Sequence, residues 1–244
     1  MNRSWTSRLR VSPLVGVLII ILIAGLLVVG LYVGDRYAHR RAEQRVADLL
    51  QTQLGTPQPP MVSIEGFPFL TQVAADSIGR IHVVADQLGE TNKAPVILAH
   101  ADLIMTDVDT NDWFKSMKVA HSEGKARLDY AKLSSLAGAP LAYGGEGRVE
   151  IAVNTTVVRR EVEAVITGSP RLNAKDQTMT LSDARIAVAG VKLPDFTAQA
   201  LLAAVLKPIP LKGMTLGTTV TKIAAAEDGL QVDLVGDNQT IPSQ

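Results

Sequence analysis

Apolar residues follow three patterns along this chain, and each predicts a different kind of element. Residues 14–33, LVGVLIIILIAGLLVVGLYV, are an unbroken apolar run without charge. As a helix rising ~1.5 Å per residue, the run spans roughly 30 Å, the hydrocarbon thickness of a bilayer. A single segment can satisfy its own backbone in that layer only as a helix. A cleaved leader carries an apolar region of ~7–15 residues followed by a small-residue A-x-A site. Here the run is longer, and Gly34-Asp35-Arg36-Tyr37-Ala38 has no such site. The pattern predicts an uncleaved transmembrane helix.

Beyond Gly34 the period becomes helical and amphipathic. Val46, Leu49, Leu50 and Leu54 form a stripe, while Arg36, Arg40, Glu43 and Arg45 occupy the other side. Gly55, Pro57, Pro59 and Pro60 then stop the helix. Such a helix is either a stalk near the lipid or a helix packed on the following domain.

From Met61 the period is two. Ile81, Val83 and Ala85; residues 148–154; Val162, Ala164 and Ile166; and Leu230, Val232 and Leu234 all alternate with polar positions. This predicts strands with one wet and one buried face. Turns are expected at Gly89, Gly124, Gly144-Gly145, Gly168-Ser169-Pro170, Gly190 and Asp228-Gly229. Three helical pieces interrupt the strands: a short one opened by Pro68, one over residues 130–137 closed by Gly138, and an almost wholly apolar one over residues 194–206. The fold class is therefore α+β, a transmembrane helix followed by an antiparallel sheet or a strongly curved, barrel-like one. The division is a cytoplasmic head at 1–13, the span at 14–33, an amphipathic helix and linker at 34–60, and one domain at 61–244.

Composition narrows the partners. The formal net charge is zero. Removing the three arginines of the first 33 residues leaves 21 basic against 24 acidic side chains. That balance offers no basic face for nucleic acid and no polybasic headgroup patch on the domain. The short basic head, free of acids, favours the amino terminus inside and the domain outside, although arginines on both flanks barely decide the matter. Without cysteine, the domain depends on its hydrophobic core.

Few residues suggest reaction chemistry. Asp107 to Asp112 resembles the start of a calcium loop, but Asp112 and Lys118 stand where glycine and glutamate are needed, so a solvated turn is the better reading. His82, His100 and His121 lack local ligand spacing and read as scattered surface residues. There is no nucleophile elbow, phosphate loop or dinucleotide fingerprint. No metal or cofactor is expected. Trp113-Phe114 on a polar loop is a candidate membrane-interface pair. Phe67, Phe69, Leu70 and Val73, with Leu201, Leu202, Val205 and Leu206 of the apolar helix, are either core or the lining of a groove for acyl chains.

The string Val62-Ser63-Ile64-Glu65-Gly66-Phe67-Pro68-Phe69-Leu70-Thr71-Gln72 resembles a signature of the LmeA-like actinobacterial envelope family. Further matches follow in order: Pro140 to Gly144, Val188 to Pro194, Lys207 to Leu211, and Glu227 to Val232 ahead of Gly236. Asp76, where a small residue is expected, and the segment after Leu211 depart from the pattern. The resemblance implies a tubular lipid-binding fold like that of bactericidal permeability-increasing protein, in which a long helix lies in a curved sheet. It also implies phospholipid as ligand, a site on the outer side of the plasma membrane, and a part in maturing mannosylated lipoglycans; envelope glycosyltransferases are candidate partners. The leading expectation is a membrane-anchored lipid binder that is not an enzyme. The alternatives are an enzyme acting on envelope lipid and a scaffold recruiting glycosyltransferases.

Overall fold

The computed structural model describes residues 13–88, 98–111, 113–157, 160–188, 207–211 and 217–241. Helix α1 (Pro13–Leu54) is continuous from the apolar run into the domain. Its apolar half is exposed throughout and has a mean hydropathy of 3.2, so it is long and apolar enough to cross a membrane. Its second half is a packed helix: Ala42, Val46, Leu50 and Leu54 are buried against the sheet. The amphipathic stripe thus belongs to the core.

Eleven strands follow among the described residues, in two antiparallel sheets, one of them curled into a half-barrel. The first sheet holds β1 (Met61–Glu65), β2 (Ser77–Leu88), β3 (Leu98–Asn111), β4 (Ser116–Leu128), β11 (Gly229–Ile241) and β10 (Thr219–Ala226), in that spatial order. The second holds β5 (Leu141–Tyr143), β6 (Val149–Val157), β7 (Arg160–Asn173), β8 (Thr178–Val188) and β9 (Ile209–Pro210). Helices α2 (Phe69–Ala74) and α3 (Tyr130–Ala137) lie between strands. The predicted alternation holds in β2 and β11. Ile81, Val83 and Ala85 face a core shared with Leu230, Val232 and Leu234, and that core runs on through Leu133, Ile151, Ile166 and Met179 of the second sheet.

Three expected turns are strand instead. Gly124 lies inside β4, opposite Leu103 of β3. A Cβ there would strike the Asp102 carbonyl oxygen and lie 2.8 Å from the Leu103 Cα, so the glycine serves close strand approach rather than a bend. Gly168-Ser169-Pro170 lies inside β7. Pairing with β6 ends at Gly168, so Pro170 needs no donor on that side and still pairs with Leu181 of β8. Asp107 to Asn111, expected as a turn, completes β3, and the chain turns at Trp113 and Phe114, both with positive φ. The Gly144–Gly147 turn between β5 and β6 is as expected, closed by Gly144 N–H to Arg148 O at 2.9 Å and Arg148 N–H to Gly145 O at 2.9 Å. The apolar helix expected over residues 194–206 lies outside the described residues.

Candidate lipid site and membrane-proximal rim

Two regions of the fold bear on function. One is where α1 enters the domain. The Asp35 carboxylate, buried two residues beyond the apolar run, accepts the Leu70 N–H of α2 at 2.7 Å. One turn on, His39 Nε2 lies 2.7 Å from Ile64 O, and two turns on Glu43 Oε1 accepts the Ile64 N–H at 3.1 Å. Ile64 belongs to β1, which is an edge strand among the described residues, with no strand beside its outer backbone groups there. The helix side chains therefore supply the pairing that a strand would give.

The Gly66–Leu70 motif sits at this junction, and its apolar residues separate by role. Phe69 is 1% exposed, stacked 6.3 Å from Phe114 and 5.2 Å from the His39 ring. Val73 packs partly buried on the core and Leu70 is at the border of exposure. Phe67 is 68% exposed, with its ring 6.2 Å from Tyr32 at the end of the apolar run. The two aromatics of the β3–β4 turn also diverge: Phe114 is buried, whereas Trp113 is 50% exposed. Phe114 therefore has no free face for lipid; it is a core contact of Phe69. Arg36 lies 5.9 Å over the Tyr32 ring, and its bond to Tyr32 raises its already high pKa, so it stays charged.

The other region is a cavity of about 310 Å³ lined mostly by apolar side chains, between α3, β6, β8 and β9. Asp129 caps α3 through the Ala131 N–H at 2.8 Å, and Gly138 ends it in the left-handed conformation at φ 69°. Leu133 anchors its inner face in the core. Ser134 Oγ accepts the Leu141 N–H at 2.7 Å, which ties the helix to β5. Leu136, Ala137 and Ala139 then face Ile151, Met179, Leu181 and Ile209 across the cavity. In the two-residue strand β9 Pro210 has no N–H to donate, and the bond to the chain beside β8 is made by the next residue, Leu211 N–H to Gln177 O at 2.8 Å. Among the described residues, Lys207 and Thr180 are the only polar ones in the lining, and none is acidic. The volume is at the lower end of the ligand-pocket range of roughly 300–1,000 Å³. These walls suit hydrocarbon with a negative group at the mouth; they offer no acid–base pair.

A larger concavity of about 570 Å³ lies on the outer face of the first sheet. Its walls carry Lys125, Arg127 and Lys222 against Asp102, Asp228 and Asp233, and Arg127 already bonds Asp228 at 2.9 Å. Such walls are wrong for an acyl chain. The histidines expected to be scattered surface residues are exposed but individually paired: His82 with Asp102 at 2.7 Å, His100 with Asp86 at 2.7 Å, and His121 with Asp237 at 2.6 Å. They join neighbouring strands, a contact worth roughly 0.2–1 kcal/mol each. Among the described residues no group of His, Asp and Glu side chains is placed to hold a metal ion.

The LmeA-like phospholipid-binding family matches residues 33–235. The chain belongs to that family. No curated protein and no solved structure matches it. The match begins at the last residue of the apolar run and takes in both the junction and the cavity. Of the residues singled out by sequence for lipid, Phe67, Phe69, Leu70 and Val73 gather at the junction. Leu201, Leu202, Val205 and Leu206 lie outside the described residues. Sequence reasoning missed the walls Leu136, Ile151, Met179, Leu181 and Ile209. The one signal for them was Lys207-Pro208-Ile209-Pro210-Leu211, read as a family match without a role.

Proposed function

We propose that this protein is anchored by α1 in the plasma membrane and binds one acyl chain of a phospholipid in the cavity under α3. The observation that carries the reading is the lining itself: among the described residues, apolar side chains from four elements, one cation, the exposed Lys207, and no acid. Hydrocarbon gains ~0.8 kcal/mol per buried CH₂, so a stretch of eight carbons contributes about 6 kcal/mol before ordering costs. Lys207 is exposed at the mouth, where it meets a headgroup phosphate. The family's description as phospholipid-binding supports this reading and favours presentation or transfer of lipid over catalysis. Phe67, Leu70 and Val73 are assigned to the lipid-facing side of the junction.

The finer reading places the domain on the extracytoplasmic side, assisting maturation of mannosylated envelope lipoglycans beside glycosyltransferases. Its support is the order of motifs from Gly66-Phe67-Pro68-Phe69-Leu70 to Glu227-Asp228-Gly229.

The test uses the full-length chain in detergent with a phospholipid carrying a photoreactive group on its acyl chain. Mass spectrometry of the cross-linked peptides should find label on α3, β8 and β9 in addition to the span. Ala139→Trp fills the cavity and should abolish the label on these three elements while circular dichroism stays unchanged. Equal labelling of a folded Ala139→Trp chain would reject the cavity as the site.

A further inference from the structure

The strand directions assign the two rims of the first sheet. Asp35, just beyond the apolar run, bonds Leu70, and His39 and Glu43 bond Ile64, so the end of β1 and the start of α2 lie beside the membrane end of the domain. β2 starts there, and Ser77 faces Asp109 near the end of β3. The Thr110 N–H donates to Asp76 O at 2.9 Å, which holds the β3 end against the α2–β2 joint. The β3–β4 turn therefore hangs over the same rim, with Phe114 tucked onto Phe69 and Trp113 turned outward. The opposite rim carries Leu54, Met61, Leu88 and Gly229.

Exposed apolar side chains are not shared evenly between these rims. Outside the span, the large ones among the described residues are Tyr37, Met61, Phe67, Leu70, Trp113 and Leu136. Four of the six, Tyr37, Phe67, Leu70 and Trp113, belong to the membrane end. Phe67 is continuous with the span itself through Tyr32. Arg36, Arg40 and Arg41 emerge on exposed positions of the same turns of α1. Aromatic rings with a neighbouring cation fit the interfacial layer of a bilayer, where rings sit at headgroup level and guanidinium groups bond phosphates.

We propose that this rim, with Phe67 and Trp113 as its two contact points, docks on the phospholipid surface, so that the domain sits down on the bilayer rather than standing clear of it. This rests on the anchor reading above; it adds a second contact, made by the domain, and a fixed orientation. The occupant is the bilayer surface into which the span leads. The two points lie on different elements, so together they fix the tilt of the domain, which the span alone does not.

The experiment uses the full-length chain in vesicles of phosphatidylcholine with a minor share of phosphatidylglycerol, doped with brominated phosphatidylcholine that quenches tryptophan on contact. Trp5→Phe removes the other tryptophan. Native Trp113 is one reporter. Phe67→Trp, Met61→Trp and Leu27→Trp, each with Trp113→Phe, are the others, and circular dichroism confirms that each chain is folded. Quenching is expected at Leu27, Phe67 and Trp113, strongest at the latter two when the bromines lie near the headgroup, and absent at Met61 on the far rim. Quenching at Leu27 with Phe67 or Trp113 no more quenched than Met61 would overturn the docked rim and leave the anchor standing. Loss of quenching at Leu27 as well would remove the anchor reading and the docking with it.

Discussion

Asp35 and Leu70 are 35 positions apart in sequence, yet the buried carboxylate of the first accepts the backbone N–H of the second at 2.7 Å. The bond joins the helix that leaves the apolar run to the first turn of α2. Negative charge is favourable at that end of a helix, although α2 is short. Asp35→Ala leaves the Leu70 N–H without its acceptor and should lower stability by about 0.5–2 kcal/mol. Asp35→Asn keeps an acceptor oxygen and should cost less. Thermal unfolding in detergent checks both, and equal melting temperatures for all three chains would contradict the assignment.

Gly66 has φ +106°, a conformation that side chains rarely adopt, and a Cβ there would collide with the Gln72 side chain. That amide binds Glu65 O at 3.3 Å and the Gly79 N–H at 3.2 Å, bridging the end of β1 to the start of β2. Gly66→Val should destabilise the domain by on the order of 1–3 kcal/mol through strain alone. The melting temperature is the measurement, and an unchanged value rejects the prediction.

Gly124 provides a contrasting case, because its constraint is space rather than φ. Gly124→Ala pushes a methyl group against the β3 backbone at Asp102 and Leu103. A cost of roughly 1–3 kcal/mol is expected, in the range of overpacked cores. Faster hydrogen exchange along β3 and β4 in the variant would place the damage where the geometry puts it; exchange unchanged in these strands would show that they absorb the methyl group.

Tyr130 gives a pH dependence. Burial, with Tyr143 nearby, pushes its hydroxyl from the ordinary value of 10 up to about 12, and the hydroxyl donates to Ala226 O at 2.8 Å. The folded chain thus holds this proton more tightly than the unfolded chain. Its contribution is complete below pH 10 and is lost as pH rises through about 12. The wild-type melting temperature should fall across that window more steeply than that of Tyr130→Phe. Parallel curves would show that the hydroxyl has no such linkage.

Local patterns made much of this architecture readable. The apolar run is legible from its length and lack of charge alone, while the stripe Val46, Leu50, Leu54 and the alternation of β2 and β11 each depend on one burial direction, which periodicity reports directly. Residues 130–137 and Gly138 were legible because caps are local chemistry. Gly124 and Gly168 misled because glycine marks both bends and close approach, and only the neighbouring strand decides between them. The cavity was hidden for a related reason. Leu136, Ile151, Met179, Leu181 and Ile209 come from elements far apart in sequence, and a wall and a core position carry the same kind of side chain. Phe67 and Phe69 show the limit most plainly: two phenylalanines of one motif, one turned out and one turned in.

The unbroken length of α1 also governs how far the cavity can search. A flexible tether of twenty residues would let a domain wander over roughly 25 Å. Here the same stretch is helix, clamped to β1 and α2 by Asp35, His39 and Glu43. With α1 anchored as proposed, the cavity beside Lys207 would be carried at one height above the membrane, and its encounters would become those of a body diffusing in two dimensions. A lipid would then have to come to that height, which the bonds of Asp35, His39 and Glu43 to the domain fix.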